Sequence, residues 1–191
     1  MFDILISKPK KFKKEQLDEL GLDEILFLTP QNSVIIDTEN KEELRRSVSS
    51  AHSKQKIIII KGSDDEINRI AVEDKRVSGL LSPERRRRKD SLHARNAGLN
   101  HVLCDLAAKN DVAIGIDFSE IRKLKGKERA LRLGRVMQNI SLCRKSKTSM
   151  VLASFGKKPS SVYDLRSFAF SLGMTTDQAK QSLENAKKIF E

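Results

Sequence analysis

The chain contains no tryptophan, one tyrosine (Tyr163), two cysteines and three histidines among its 191 residues. With so few aromatic rings, and with the phenylalanines mostly inside strand or helix patterns, stacking platforms for unpaired bases are not expected. Cys104 and Cys143 fall in separate helical patterns without metal-ligand spacing, so they read as free buried thiols of a reducing cytoplasm. The histidines form neither H-x-H nor H-E-x-x-H. The glycines form neither G-x-G-x-x-G nor G-x-x-x-x-G-K-[ST], so nucleotide binding has no support. No spacing of Ser, His and acid suggests a nucleophile elbow. No apolar run approaches the roughly 18 residues that a membrane span needs. In MFDILISKPKKFKK the apolar stretch precedes the lysines, the reverse of a secretory signal.

What the chain has in excess is positive charge, confined to one region. Residues 85–147 hold 17 Lys and Arg against 6 Asp and Glu; the rest of the chain holds 20 of each. The whole net charge of +11 therefore lies in the central third, as a polyanion-binding surface would place it. Five consecutive cations, Arg85 to Lys89, open this region. Guanidinium forks grip phosphates two hydrogen bonds at a time. The same run also fits a solvated charge cluster or a protein-docking loop. It leads through Asp90, His93 and Arg95 into an expected helix at 95–110. Leu99, Val102, Leu103, Leu106 and Ala107 form the apolar face of that helix, with His101 nearly opposite.

The second basic element is an expected helix at 126–147. Ala130, Leu133, Met137 and Ile140 are its expected buried side. Glu128, Arg132, Arg135 and Asn139 form a separate stripe, suited to RNA or to a partner's acidic surface. Arg144, Lys145 and Lys147 crowd the last turn, where cations also suit the helix dipole.

Apolar runs at 2–7, 23–29, 33–38, 56–62, 77–82, 112–118 and 149–155 read as seven short strands. Ile57–Ile60 is unbroken, as in a parallel strand covered on both faces. Helical patterns lie near 12–20, 41–54 and 64–74, then at 162–172 and from Thr175 onward. Capping pairs are expected at Asn40/Glu43, Ser63/Glu66, Ser161/Asp164 and Thr175/Gln178. Only 23–29 and 33–38 lack a helix between them. The alternation predicts an α/β fold with a largely parallel sheet, open or closed as an irregular barrel, in one domain spanning 1–191. Asp37 and Asp117 fall at carboxyl ends of strands. With His93 and His101 they could form a metal-dependent phosphoesterase site, or they could be turn and cap residues.

Residues 93–118, HARNAGLNHVLCDLAAKNDVAIGIDF, resemble the ribonuclease P protein component 3 family, archaeal relatives of the eukaryotic thirty-kilodalton subunit. The family's Arg-Asn-(small)-Gly-Leu-Asn helix and V-x-I-G strand match Arg95–Asn100 and Val112–Gly115. Its R-M-x-Q-N core matches, in modified form, Arg135-Val136-Met137-Gln138-Asn139. A basic helix end follows at Arg144-Lys145-Ser146-Lys147, then Val151–Ser154, Asp164-Leu165 and Leu172-Gly173-Met174. The resemblance covers about 85–183 and fades toward the N-terminus. It implies an irregular TIM-like α/β barrel of about seven mostly parallel strands, related to the polymerase-and-histidinol-phosphatase metal hydrolases but without a working active site. It further implies a non-catalytic subunit of the ribonucleoprotein that removes the 5′ leader of precursor tRNA. The RNA subunit there performs Mg²⁺-dependent hydrolysis, and this chain needs no cofactor of its own. The implied partners are ribonuclease P RNA, protein component 2 in a two-plus-two assembly, and the other ribonuclease P proteins. The residues expected to touch RNA or a partner are Arg85, Arg86, Arg87, Arg88, Lys89, Arg95, Arg132, Arg135, Asn139, Arg144, Lys145 and Lys147.

Overall fold

The computed structural model describes residues 1–86, 89–90 and 95–190. All seven expected strands are present, trimmed by one or two residues at one or both ends: β1 (Phe2–Ile6), β2 (Glu24–Leu28), β3 (Ser33–Ile36), β4 (Ile57–Lys61), β5 (Gly79–Leu81), β6 (Ala113–Asp117) and β7 (Met150–Ala153). The helices are α1 (Lys14–Leu20), α2 (Lys41–Ser53), α3 (Asp65–Glu73), α4 (His101–Lys109), α5 (Phe118–Lys123), α6 (Gly126–Ser146), α7 (Val162–Ser171) and α8 (Thr176–Glu184). A 3-10 turn, Lys187–Phe190, follows.

β3 to β7 form one parallel sheet in chain order, and β1 pairs in parallel with β2. The two pieces meet where Phe155 N donates to Ile4 O (2.8 Å) and Ile6 N to Gly156 O (3.0 Å). Buried Asp3 ties the same seam, accepting from Ser154 N (2.6 Å), Ser154 Oγ (2.7 Å) and Ser160 N (3.0 Å). Among the described residues no ladder joins β2 to β3, which Thr29–Asn32 connects by a turn closed by Ser33 N to Thr29 O (2.9 Å). A turn of that length has no room for a crossover helix.

Side-chain alternation shows how the sheet closes. Ile58 and Ile60 join the core beneath the helices, while Ile59 joins a second cluster with Ile4, Leu28, Leu81, Ala113, Val151 and Ala153, against which Ile35 also packs. Every strand contributes to that second cluster, as the interior of a barrel requires. Ala186, Ile189 and Phe190 fill it from the end where the strands begin, and Ile189 lies against Gly79. The TIM-like α/β expectation therefore holds, with the irregularity at the β2/β3 connection.

Four local expectations need correction. The helix expected at 95–110 starts six residues late, at His101. Gly98 has φ +77°, and a Cβ there would lie 2.0 Å from Pro83 O, so 95–100 is a tight loop capped by Asn100. Val102, expected on the apolar face of that helix, is 46% exposed. The cap of α3 is Asp64, which accepts from Ile67 N; the Ser63 amide donates to Asn68 instead. Finally, α6 is rotated relative to its expected orientation: Ala130 and Met137 are exposed, while Arg132, Arg135, Val136, Asn139, Ile140 and Cys143 are buried.

Candidate nucleic-acid interface

β5 delivers the chain to the carboxyl-end mouth of the barrel, where residues 82–86 and 89–90 lie across it as a strap. Its backbone enters through Gly62, where a Cβ would sit 2.4 Å from Pro83 Cα. Arg85 Nε donates to Gly62 O (3.2 Å), and its guanidinium fork grips Asp37 (Nη1 to Oδ2, 3.1 Å). Lys61 Nζ approaches Asp37 from inside the mouth, at 3.9 Å. Arg86 donates to Asp64 (2.9 Å) and lies 3.9 Å from Glu39.

The buried face of α6 holds the strap from behind. Arg132 is 7% exposed; its Nη2 donates to Arg85 O (3.1 Å), and its Nη1 pairs with Glu120 (3.3 Å) and Glu84 (3.5 Å). Arg135, 6% exposed, donates to Arg86 O (2.8 Å) and pairs with Asp90 (2.8 Å). Asn139 donates to Ala97 O (2.9 Å), and Gln138 to Arg95 O (3.2 Å). From α3, Asn68 reaches both Pro83 O (3.1 Å) and Gly98 O (3.0 Å). Six carbonyls of irregular backbone, those of Pro83, Arg85, Arg86, Arg95, Ala97 and Gly98, thus accept from side-chain donors, as buried backbone requires.

The electrostatics follow burial. Glu84 is 3% exposed, and desolvation pushes its carboxyl up to about 7 despite the Arg132 charge. Its Oε1 makes no hydrogen bond. Asp117 caps α5 by accepting from Glu120 N (2.8 Å); burial raises it to about 6, with Lys61 and Lys123 opposing. Burial also pushes Asp90 upward, but the Asn96 amide and the Arg135 guanidinium outweigh it and hold that carboxyl below the ordinary range.

The twelve expected interface residues therefore separate. Arg85, Arg86 and Lys89 sit on the strap, and Arg87 and Arg88 lie outside the described residues, as does His93. Arg95 lies against α6, with Nη1 donating to Gly134 O (3.2 Å). Arg132, Arg135 and Asn139, expected on a stripe open to a partner, are instead buried behind the strap. Their spacing with Val136, Ile140 and Cys143 marks one buried helix face, a signal legible in the sequence. Arg144, Lys145 and Lys147 are at the far end of α6, a helix roughly 30 Å long. There Arg144 donates to Gly173 O (2.6 Å) and Gln178 (2.7 Å), while Lys145 and Lys147 are exposed. Asp37 and Asp117 serve a cation pair and a helix cap, and no three metal-ligating side chains come together among the described residues. Sequence reasoning missed Glu84, Glu120 and Asp64, whose roles depend on contacts across 12 to 48 residues.

Residues 28–191 match the family model described as RNase P subunit p30. Ribonuclease P protein component 3 of Methanocaldococcus jannaschii is 34% identical over 183 residues, covering 94% of this chain and 75% of that protein. The corresponding protein of Methanothermobacter thermautotrophicus is 32% identical over 156 residues, covering 78% of this chain and 60% of that one. Among solved structures, a chain of the cryo-EM structure of archaeal ribonuclease P with mature tRNA superposes with TM-score 0.74 at 27% identity, covering 100% of this chain and 90% of that one. A prolidase crystal structure superposes with TM-score 0.56 at 9% identity, covering 93% of this chain and 45% of that one, a likeness of fold alone.

Proposed function

The chain belongs to the RNase P subunit p30 family, and from that premise we propose that it is a protein subunit of ribonuclease P that supports 5′-leader removal from precursor tRNA. The match across 28–191 carries this reading. The charge distribution supports it, because the excess of +11 falls within residues 85–147, the stretch that contains the strap and α6. In this reading the RNA subunit and its Mg²⁺ perform the hydrolysis. The present chain holds RNA and other protein subunits, component 2 among them, in a two-plus-two arrangement. The two buried free thiols fit a cytoplasmic, reducing setting, and no described helix is long and apolar enough to cross a membrane.

At the barrel mouth, cationic side chains already occupy the space around Asp37. Lys61 and Arg85 leave that carboxylate committed, which favours a scaffold over a hydrolase. The buried donors of α6 fix the strap, so Arg132, Arg135 and Asn139 act as positioning residues for it. Reconstitution tests the reading: cleavage of precursor tRNA by the RNA and the remaining proteins is measured with and without this chain, at limiting Mg²⁺. Omission is expected to slow cleavage or raise the Mg²⁺ requirement. An unchanged rate and an unchanged Mg²⁺ requirement would contradict it.

A further inference from the structure

Arg85 and Arg86, the described strap arginines, are committed inside the chain, so they do not account for the unspent positive charge. The loop joining α5 to α6 and the first turn of α6 do. From Arg122 to Arg129 the chain carries five cations against one carboxylate, Glu128. Arg122 lies over the Phe118 ring (5.6 Å to its centroid), and Lys123 acts on Asp117. Lys125, Lys127 and Arg129 are exposed and have no ion pair or side-chain hydrogen bond among the described residues.

Their position is adverse for the fold. They crowd the amino end of a 21-residue helix, where the aligned peptide dipoles already place about half a positive charge. Lys125 is the N-cap residue, and its side chain satisfies none of the first amide groups. Acidic residues would stabilise this turn; clustered cations do so only when an anion arrives. Across from them stands exposed Lys89 of the strap. Between Lys89 and α6 lies an open groove of about 660 Å³, which α6 lines with Lys127, Glu128 and Leu131, while Lys125 and Arg129 stand beside it on the same helix end. Asp90, the groove carboxylate on the strap side, is held by Arg135.

We infer that this groove, with Lys127 on one side and Lys89 on the other, grips the sugar–phosphate backbone of folded RNA, which the exposed Lys125 and Arg129 meet on the adjoining surface of the same helix end. The inference rests on the ribonuclease P reading and names the surface through which it acts. A protein partner fits less well. Lysine is depleted from the centres of protein interfaces and aromatic anchors are enriched there, whereas Leu131 is the groove's single apolar side chain. Backbone phosphates need only mobile ammonium and guanidinium groups at an open edge.

The test uses the full chain and the ribonuclease P RNA. Binding is followed as a function of salt for wild type, for the triple variant K125A/K127A/R129A, and for the charge-matched control K54A/K75A/K109A at the opposite end of the barrel. Each lost phosphate contact flattens the log–log slope by about 0.7–0.9, so the triple variant should lose about 2 from its magnitude. The control should keep the wild-type slope, and K125R/K127R should retain it. Thermal melting should show all variants folded, because none of these side chains has an ion pair or side-chain hydrogen bond among the described residues. A wild-type slope in the triple variant, with wild type still stimulating cleavage, would overturn the inference alone. The same slope with weakened assembly onto the other protein subunits would overturn it and give the groove to a protein. A wild type that neither binds the RNA nor stimulates cleavage would remove the subunit reading, and the inference with it.

Discussion

Arg85, Arg86, Arg132 and Arg135 each face a carboxylate at 2.5 to 3.3 Å, and the last two are buried as well. Lys125, Lys127 and Arg129, one helical turn or two away, face none among the described residues. The two regions contribute similarly to the net charge, yet only one has charge to offer. In the strap, guanidinium groups act as multivalent donors that fix an irregular backbone, a task for which arginine's planar fork is suited. At the α5–α6 junction, cations stand at the positive end of a helix and gain nothing until an anion binds. A count of charges therefore locates a binding region only to within the distance over which the fold consumes them.

The contrast can be broken most severely at Arg132. Its replacement by Met leaves Glu84 buried and without its cation, so R132M should cost about 3–5 kcal/mol at pH 8, read by urea denaturation. The next effect is a pH dependence. Burial makes Glu84 hold its proton in the folded state up to about pH 7, against an ordinary 4.5. Its penalty is absent below pH 4.5, grows between 4.5 and 7, and is fully present above. Wild type should therefore lose about 2–3 kcal/mol more than E84Q between pH 5 and pH 8, since Gln does not titrate. Parallel pH–stability curves for the two proteins would show that Glu84 is not desolvated as described.

Partly exposed Arg85 should matter less. Its pair with Asp37 is open to solvent screening, so R85A is expected to cost about 1 kcal/mol or less. The smallest stability effect belongs to the junction: K125A/K127A/R129A should stay within about 0.5 kcal/mol of wild type in the same denaturation experiment. The ranking on RNA affinity should run the other way for that variant, which sharpens the division between charge that builds and charge that binds.

The same division explains what the sequence discloses. Strand positions were legible because the interior of a barrel and the layer beneath its helices impose alternation on every strand, as Ile57–Ile60 illustrates. Caps made by local side chains, Asn40 and Thr175, were legible for the same reason: the partner lies two or three residues away. The start of α4 was misplaced because Gly98 meets Pro83 only in the folded chain. The orientation of α6 differs from its apolar spacing because the backbone of the strap offers its arginines buried acceptors, which no local pattern announces. Val136, Ile140 and Cys143 already marked the face they share with Arg132, Arg135 and Asn139. Which carboxylate would neutralise which arginine was not legible, since those partners are brought together by the barrel mouth itself.

Differential lysine acetylation in the assembled ribonucleoprotein, read by mass spectrometry, reports which lysines the RNA covers. Lys89, Lys125 and Lys127 should react many times more slowly in the assembly than in the free chain, while Lys54, Lys75 and Lys109 change little. Equal reactivity of Lys125 and Lys127 in the two states would contradict the account.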